Sequence, residues 1–256
     1  MLEIKDLCVV HEGLTILNNL NLTIRPSEKH VLMGPNGAGK STLVKILSGD
    51  PSYKSVSGEI LFYGENLLDL SPEERAHKGL FVGFQSPPEI PGVPNQLFLK
   101  EATNIVRKAR GYEPLLENDF NQLLTLYMSE LGLSKEFSLR YLNENFSGGE
   151  KKRNEVLQML LLNPTLAVLD EIDSGLDVDA IKQVSYCLKK YYFSMKTALL
   201  LITHYPKLVE YIKPDYVHIF SQGRIIRTGS MDLVEELDNK GYDSLLNGEE
   251  NLCPLR

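Results

Sequence analysis

The chain has 256 residues, 43% apolar and 24% charged, which suffices for one large domain whose core needs neither disulfides nor metals. A net charge of −7 argues against non-specific binding to nucleic acid or acidic lipid, which needs clustered Lys and Arg, and points to small molecules and proteins as partners. Cys8, Cys187 and Cys253 are scattered and read as free thiols of a reducing compartment. No secretory leader opens the sequence, and no window reaches the roughly 20 apolar residues of a membrane span, so the expected location is cytoplasmic.

In chain order, residues 2–10 and 15–24 alternate loosely between apolar and polar, as a short antiparallel pair would. "KHVLM" reads as a buried strand, "STLVKILSG" as a helix ending near Gly49, and "GEILFYG" as another strand. "SPEERAHKG" is a short helix with Ser71 placed to cap it. The composition then changes. "FQSPPEIPGVPNQ" holds four prolines, which rules out an ordinary strand or helix. Residues 97–140 show helical spacing, and strands return at "TLAVLD", "ALLLITH" and "YVHIFSQGRIIRTG". The pattern predicts an α/β core, residues 1–85 and 161–256, interrupted by a helical insertion at 86–160.

The chemistry concentrates at strand ends. "GPNGAGKST" places Gly34, Pro35, Asn36, Gly37, Ala38, Gly39, Lys40, Ser41 and Thr42 between a strand and a helix, and fits G-x-x-x-x-G-K-[ST]. Glycines there let successive N–H groups point inward at a β-phosphate, and the helix start adds its positive dipole end. Lys40 neutralises β- and γ-phosphate charge, and the Ser41 hydroxyl is a Mg²⁺ ligand. Asp170, ending "TLAVLD", is the expected Walker B metal ligand, with Glu171 placed to orient and deprotonate water. His204 ends "ALLLITH" as a γ-phosphate sensor, and Gln85 follows "LFVGF" where its amide reaches both Mg²⁺ and the attacking water. In "FSGGEKKRNEVLQMLLL", Ser147, Gly148 and Gly149 precede a helix starting near Glu150 and make a second anion site, fit for a neighbouring subunit's nucleotide.

Taken together, the order of these motifs resembles the ATPase subunits of the ABC family: Walker A 34–42, Q-loop Gln85, signature 147–150, Walker B 165–171, D-loop "SGLD" 174–177 and switch His204. The resemblance implies a P-loop NTPase with a RecA-like core, an N-terminal antiparallel β subdomain and an inserted helical subdomain. It also implies ATP and Mg²⁺ as cofactors and a transient head-to-tail homodimer with ATP at the interface. Within the family the stretches "SPEERAHKG", "FQSPPEIPGVPNQLFL", "NFSGGEKKRNEVLQM" and "LDEIDSGLDVDA" are most similar to the ATPases of the Suf iron–sulfur cluster assembly system, which implies SufB-like and SufD-like scaffold partners. The alternative is the ATP-binding subunit of a membrane transporter, which shares every motif.

Two departures stand out. Near the first strand turn, where many relatives stack adenine on an aromatic, "VVHEGLT" offers only His11, leaving ATP over GTP open. "DEID" adds Asp173, either a solvated loop acid or a partner for His204 or a lysine. Without partners, Glu171 is expected to be drawn to Lys152 while Asp173 approaches His204.

Overall fold

Strand β1 (Leu2–His11) turns into β2 (Leu14–Ile24) through Glu12 and Gly13, both at positive φ (50° and 80°), the backbone a two-residue hairpin requires. The structure, a computed structural model, describes residues 1–53, 55–193 and 197–247. Next come β3 (Lys29–Met33), α1 (Lys40–Ser48), β4 (Ser55–Phe62), β5 (Glu65–Asn66), α2 (Pro72–His77), β6 (Leu80–Gly83) and β7 (Ile90–Pro94). They are followed by α3 (Asn95–Ala109), α4 (Glu117–Glu130), β8 (Tyr141–Leu142), α5 (Gly148–Leu162), β9 (Leu166–Asp170) and α6 (Val178–Cys187). The last elements are β10 (Ala198–Ile202), α7 (Pro206–Ile212), β11 (Tyr216–Ser221), β12 (Arg224–Gly229) and α8 (Asp232–Asn247), which kinks at Gly241.

These elements form two compact units. The first comprises Met1–Pro72 and the chain from Ala198 onward. It contains an antiparallel sheet in the order β2-β1-β4-β5, and a second sheet that runs β12-β11-β3-β10. β3 pairs in parallel with both β10 and β11, so it is flanked on both edges, and every residue from His30 to Met33 is buried. β1 buries Leu2, Ile4, Leu7 and Val9, and its register shifts around Asp6, whose φ of 48° marks a bulge.

The second unit, Glu73–Thr197, contains the parallel pair β6–β9 and the helices α3 to α6. The helical stretch expected at 86–160 lies wholly inside it. Phe120, Leu124 and Met128 of α4 and Val156, Leu157 and Leu160 of α5 are buried in its core. The proline-rich segment does hold a strand, β7, which pairs with β8 only at Ile90↔Leu142 and Pro94↔Tyr141, with a register break between. Pro91 and Pro94 lack N–H groups, so a regular ladder cannot form between those ends. Cys8 and Cys187 are free thiols, and Cys253 lies outside the described residues. Among the described residues, no helix is long and apolar enough to cross a membrane.

Candidate active site

The first unit supplies the glycine-rich loop of residues 34–42, where the sequence predicts phosphate binding. Leaving β3, Gly34 passes so close to β11 that a Cβ there would run into the Phe220 carbonyl oxygen. Gly37 (φ 79°) and Gly39 (φ 105°) take the left-handed backbone that curls the loop, and Gly39 is the N-cap of α1. The loop is braced from outside: Gly223 N–H, in the tight turn between β11 and β12, donates to Ala38 O at 2.9 Å, and Asn18 N–H of β2 donates to Gly223 O at 3.0 Å. Lys40 is buried inside the curl, donating to Gly34 O (2.6 Å) and Pro35 O (2.9 Å). No acidic side chain occupies the first turn of α1, so the positive end of its dipole is left for an anion. Ser41 is exposed at that turn, and Asn36 and Gly37 are exposed at the loop tip.

The same unit holds His204, exposed two residues beyond β10, after the fully buried Thr203. Thr203 Oγ1 accepts from Tyr205 N–H at 3.0 Å, which fixes the turn into α7. His11 has a neighbour that its local sequence did not reveal. The Tyr53 ring lies 4.9 Å away, so two aromatic planes flank the end of β1.

In the second unit, β9 is buried throughout and ends at Asp170, 3% exposed. Glu171 then enters the left-handed region (φ 48°), a conformation that costs a non-glycine residue about 1 kcal/mol. Its carboxylate accepts a 2.6 Å hydrogen bond from Gln85 Nε2, so the water-directing pair read from the sequence is in direct contact. Lys152 does not pair with Glu171. Its ammonium donates to Phe84 O (2.6 Å) and Asp170 O (3.1 Å), and its ion-pair partner among the described residues is Glu155, at 3.4 Å. Asp173 is buried at 8% exposure rather than solvated, and its carbonyl accepts from Leu176 N–H within the D-loop. Asp177 caps α6, accepting from Ala180 N–H at 2.8 Å.

The signature segment begins α5 with a capping box. Ser147 Oγ accepts from Glu150 N–H (3.2 Å), and the Glu150 carboxylate accepts from Ser147 N–H (2.7 Å). Arg140 holds the same carboxylate at 3.0 Å and lies over the Phe146 ring. Burial opposes ionisation of Glu150, but the Ser147 hydrogen bonds and Arg140 outweigh it and hold the carboxyl below its usual range. Gly149 packs against the D-loop, where a Cβ would sit 2.9 Å from Gly175 O.

A profile of the family described as ABC transporter matches residues 17–174. The chain belongs to the ABC family. It is an ATP-binding ATPase of that family, and its α/β fold with an antiparallel β subdomain is that of the family's nucleotide-binding cassettes. The dimeric structure of MJ0796, a bacterial ABC transporter cassette, superposes with a TM-score of 0.74 at 20% identity, covering 90% of this chain and 99% of that one. The same cassette in a post-hydrolysis dimer bound to ADP and Pi gives 0.75 at 20% identity, with the same coverage. In sequence, this ABC ATPase is 49% identical to the "Probable ATP-dependent transporter ycf16" of Pyropia yezoensis, over 95% of this chain and 96% of that protein. It is 48% identical to the "Probable ATP-dependent transporter SufC" of Escherichia coli (strain K12), over 94% and 97% of the two chains. It is also 46% identical to the "Iron-sulfur cluster assembly protein SufC" of Plasmodium falciparum (isolate 3D7), over 96% of this chain and 71% of that one.

Proposed function

We propose that this ABC ATPase works in the cytoplasm and couples ATP binding, head-to-tail dimerisation and hydrolysis to shape change in a SufB–SufD-like scaffold during iron–sulfur cluster assembly. The observation that carries this reading is the 46–49% identity, over nearly the whole chain, to proteins named SufC or ycf16. The three cysteines are scattered in the sequence, and no His/Cys/Asp/Glu group among the described residues could hold a metal ion, which fits a cluster assembled on partner chains.

In this reading residues 34–42 cradle the β- and γ-phosphates, and Lys40 neutralises their charge. Ser147–Glu150 of a second copy meets the γ-phosphate from the other side, with the Ser147–Glu150 box fixing the helix start that faces it. His11 and Tyr53 form the adenine platform. The Ser41 hydroxyl, Gln85 amide and Asp170 carboxylate are the hard oxygen donors that Mg²⁺ prefers, and these residues would hold it. Bound there, Mg²⁺ supplies charge neutralisation between the β- and γ-phosphates. Glu171 takes the proton of the attacking water, Gln85 orients that water and the carboxylate together, and His204 contacts the γ-phosphate.

The exposed Ile90 and the neighbouring Val93, beside Gln85 in the chain, form the ridge on which the scaffold docks. Two copies held by one scaffold see each other at roughly millimolar effective concentration, enough to close a weak dimer. The chain alone is therefore expected to be mainly monomeric with low basal hydrolysis. Ile90→Asp and Val93→Asp should abolish stimulation by purified scaffold and leave basal hydrolysis within about twofold. Wild-type stimulation in both variants would move the docking site elsewhere. The word "transporter" in several relatives' names supports a second reading, the ATPase of a membrane importer; co-purification with integral membrane chains instead of soluble ones would favour it.

A further inference from the structure

Behind the Gln85–Glu171 pair lies a buried ion pair that no motif accounts for. Lys152 and Glu155 sit three residues apart on α5, with side chains only 3% and 4% exposed. Between them they bind both polar groups of one residue. Glu155 Oε1 accepts from Phe84 N–H at 2.6 Å, and Lys152 Nζ donates to Phe84 O at 2.6 Å. Lys152 also donates to Asp170 O at 3.1 Å. Phe84 immediately precedes Gln85, and Asp170 immediately precedes Glu171. The two anchored carbonyls therefore belong to the peptide planes 84–85 and 170–171, the planes whose rotation sets φ of Gln85 and Glu171.

That matters most at Glu171, whose left-handed φ is held against its intrinsic preference. On its other side, Ser174 N–H donates to Glu171 O at 3.1 Å, so the residue is tethered through both flanking peptides. The sequence makes room for the clamp at Gly83, where a Cβ would stand 3.0 Å from both Glu155 Cδ and Leu169 Cδ2. A buried lysine–glutamate pair is a poor device for stability alone, because the desolvation of both charges offsets their attraction. Burial, opposed by Lys152 and the Phe84 N–H, pushes the Glu155 carboxyl up to about 7.

We propose that Glu155 is a positioning residue for ATP hydrolysis: through Phe84 and Lys152 it fixes the backbone on which Gln85 and Glu171 stand, and so links the signature helix to the catalytic pair. The proposal rests on Glu171 as the base that activates water. It requires that Glu155 act on turnover and not on ATP binding, and chiefly by way of the Glu171 carboxylate, which Gln85 also holds.

The test is hydrolysis of Mg-ATP by the full chain carrying Glu155→Leu, Glu171→Gln and both. Glu155→Leu should lower kcat by about 10–100-fold, the scale of a misplaced catalytic group, with KM for ATP within about threefold. In the Glu171→Gln background the same substitution should change the residual rate less than about twofold. Should Glu155→Leu not fold, Glu155→Gln keeps the volume and an acceptor for Phe84 N–H while removing the carboxylate's hold on Lys152, and the same split should appear as a fall of about 3–10-fold. A wild-type kcat in folded Glu155 variants, a raised KM at unchanged kcat, or an equal fold-loss in the Glu171→Gln background would each overturn the proposal. Glu171→Gln with wild-type turnover would instead retire the base assignment, and the proposal with it.

Discussion

The phosphate loop is made from nine consecutive residues, 34–42, whereas the Gln85–Glu171 pair is built from segments around residues 83–85, 152–155 and 170–171. In the first, backbone conformation is encoded locally: glycines at positive φ curl the chain, and the start of α1 presents its dipole. In the second, a strained glutamate is held by backbone tethers that arrive from distant parts of the chain. A curled loop can thus be written as a contiguous word, while the aim of the Glu171 carboxylate depends on packing. The two regions should fail differently when altered.

The largest effect is expected where the loop meets β11. Gly34→Ala forces a methyl group into the Phe220 carbonyl, and overpacking against backbone should cost about 3 kcal/mol while weakening ATP binding. Thermal unfolding and ATP titration of the variant check both. A wild-type melting temperature would mean that β11 yields easily and the loop is less constrained than the comparison requires.

A middle-sized effect comes from the polar chain behind β3. His30 Nδ1 and His218 Nε2 are 2.9 Å apart, His30 Nε2 is 3.1 Å from Glu28, and His218 Nδ1 is 2.8 Å from Thr228 Oγ1. Burial, helped by the neighbouring His30, pushes His218 down from 6.5 to about 4. The unfolded chain therefore takes up the proton first as pH falls. The contribution of this site is fully present above about pH 6.5 and is lost as pH drops through about 4. The loss between pH 7 and 5 should be about 2 kcal/mol, and His218→Gln should flatten that part of the stability–pH curve. Urea midpoints of both proteins across this range measure it; parallel curves would show that other groups carry the acid sensitivity.

The smallest effect belongs to the signature cap. Ser147→Ala removes the acceptor for Glu150 N–H and should cost about 1 kcal/mol in the nucleotide-free chain. Thermal unfolding without nucleotide reads it. A neutral result would show that the Glu150 and Arg140 contacts suffice to start α5.

This contrast also explains what the sequence could disclose. The hairpin, the glycine-rich curl of residues 34–42, the helices of the second unit and the place of Asp170 at the end of β9 follow from local periodicity and turn chemistry, and the structure has them, while His204 falls two residues past β10. The sequence points Lys152 inward but toward the wrong acid: Glu171 is the expected partner, and only packing shows that Lys152 pairs with Glu155, three residues along the same helix. Asp173 reads in sequence as either a solvated loop acid or a partner for His204 or a lysine, and burial removes the first of these. Tyr53 lies 42 positions beyond His11, so no local pattern joins them, although their rings meet at 4.9 Å. The prolines of β7 argued correctly against a regular strand, but could not show that β8 would take the two ends that remain.

The division between binding and aim is tested most directly by measuring ATP affinity and turnover side by side in Lys40→Ala and Glu171→Gln. Lys40→Ala should weaken ATP binding by about 10–100-fold, the loss of a charge-assisted contact, and turnover should fall with it. Glu171→Gln should keep the dissociation constant within about threefold of wild type while turnover falls by at least about 100-fold. An equal loss of ATP affinity in both variants would contradict the account.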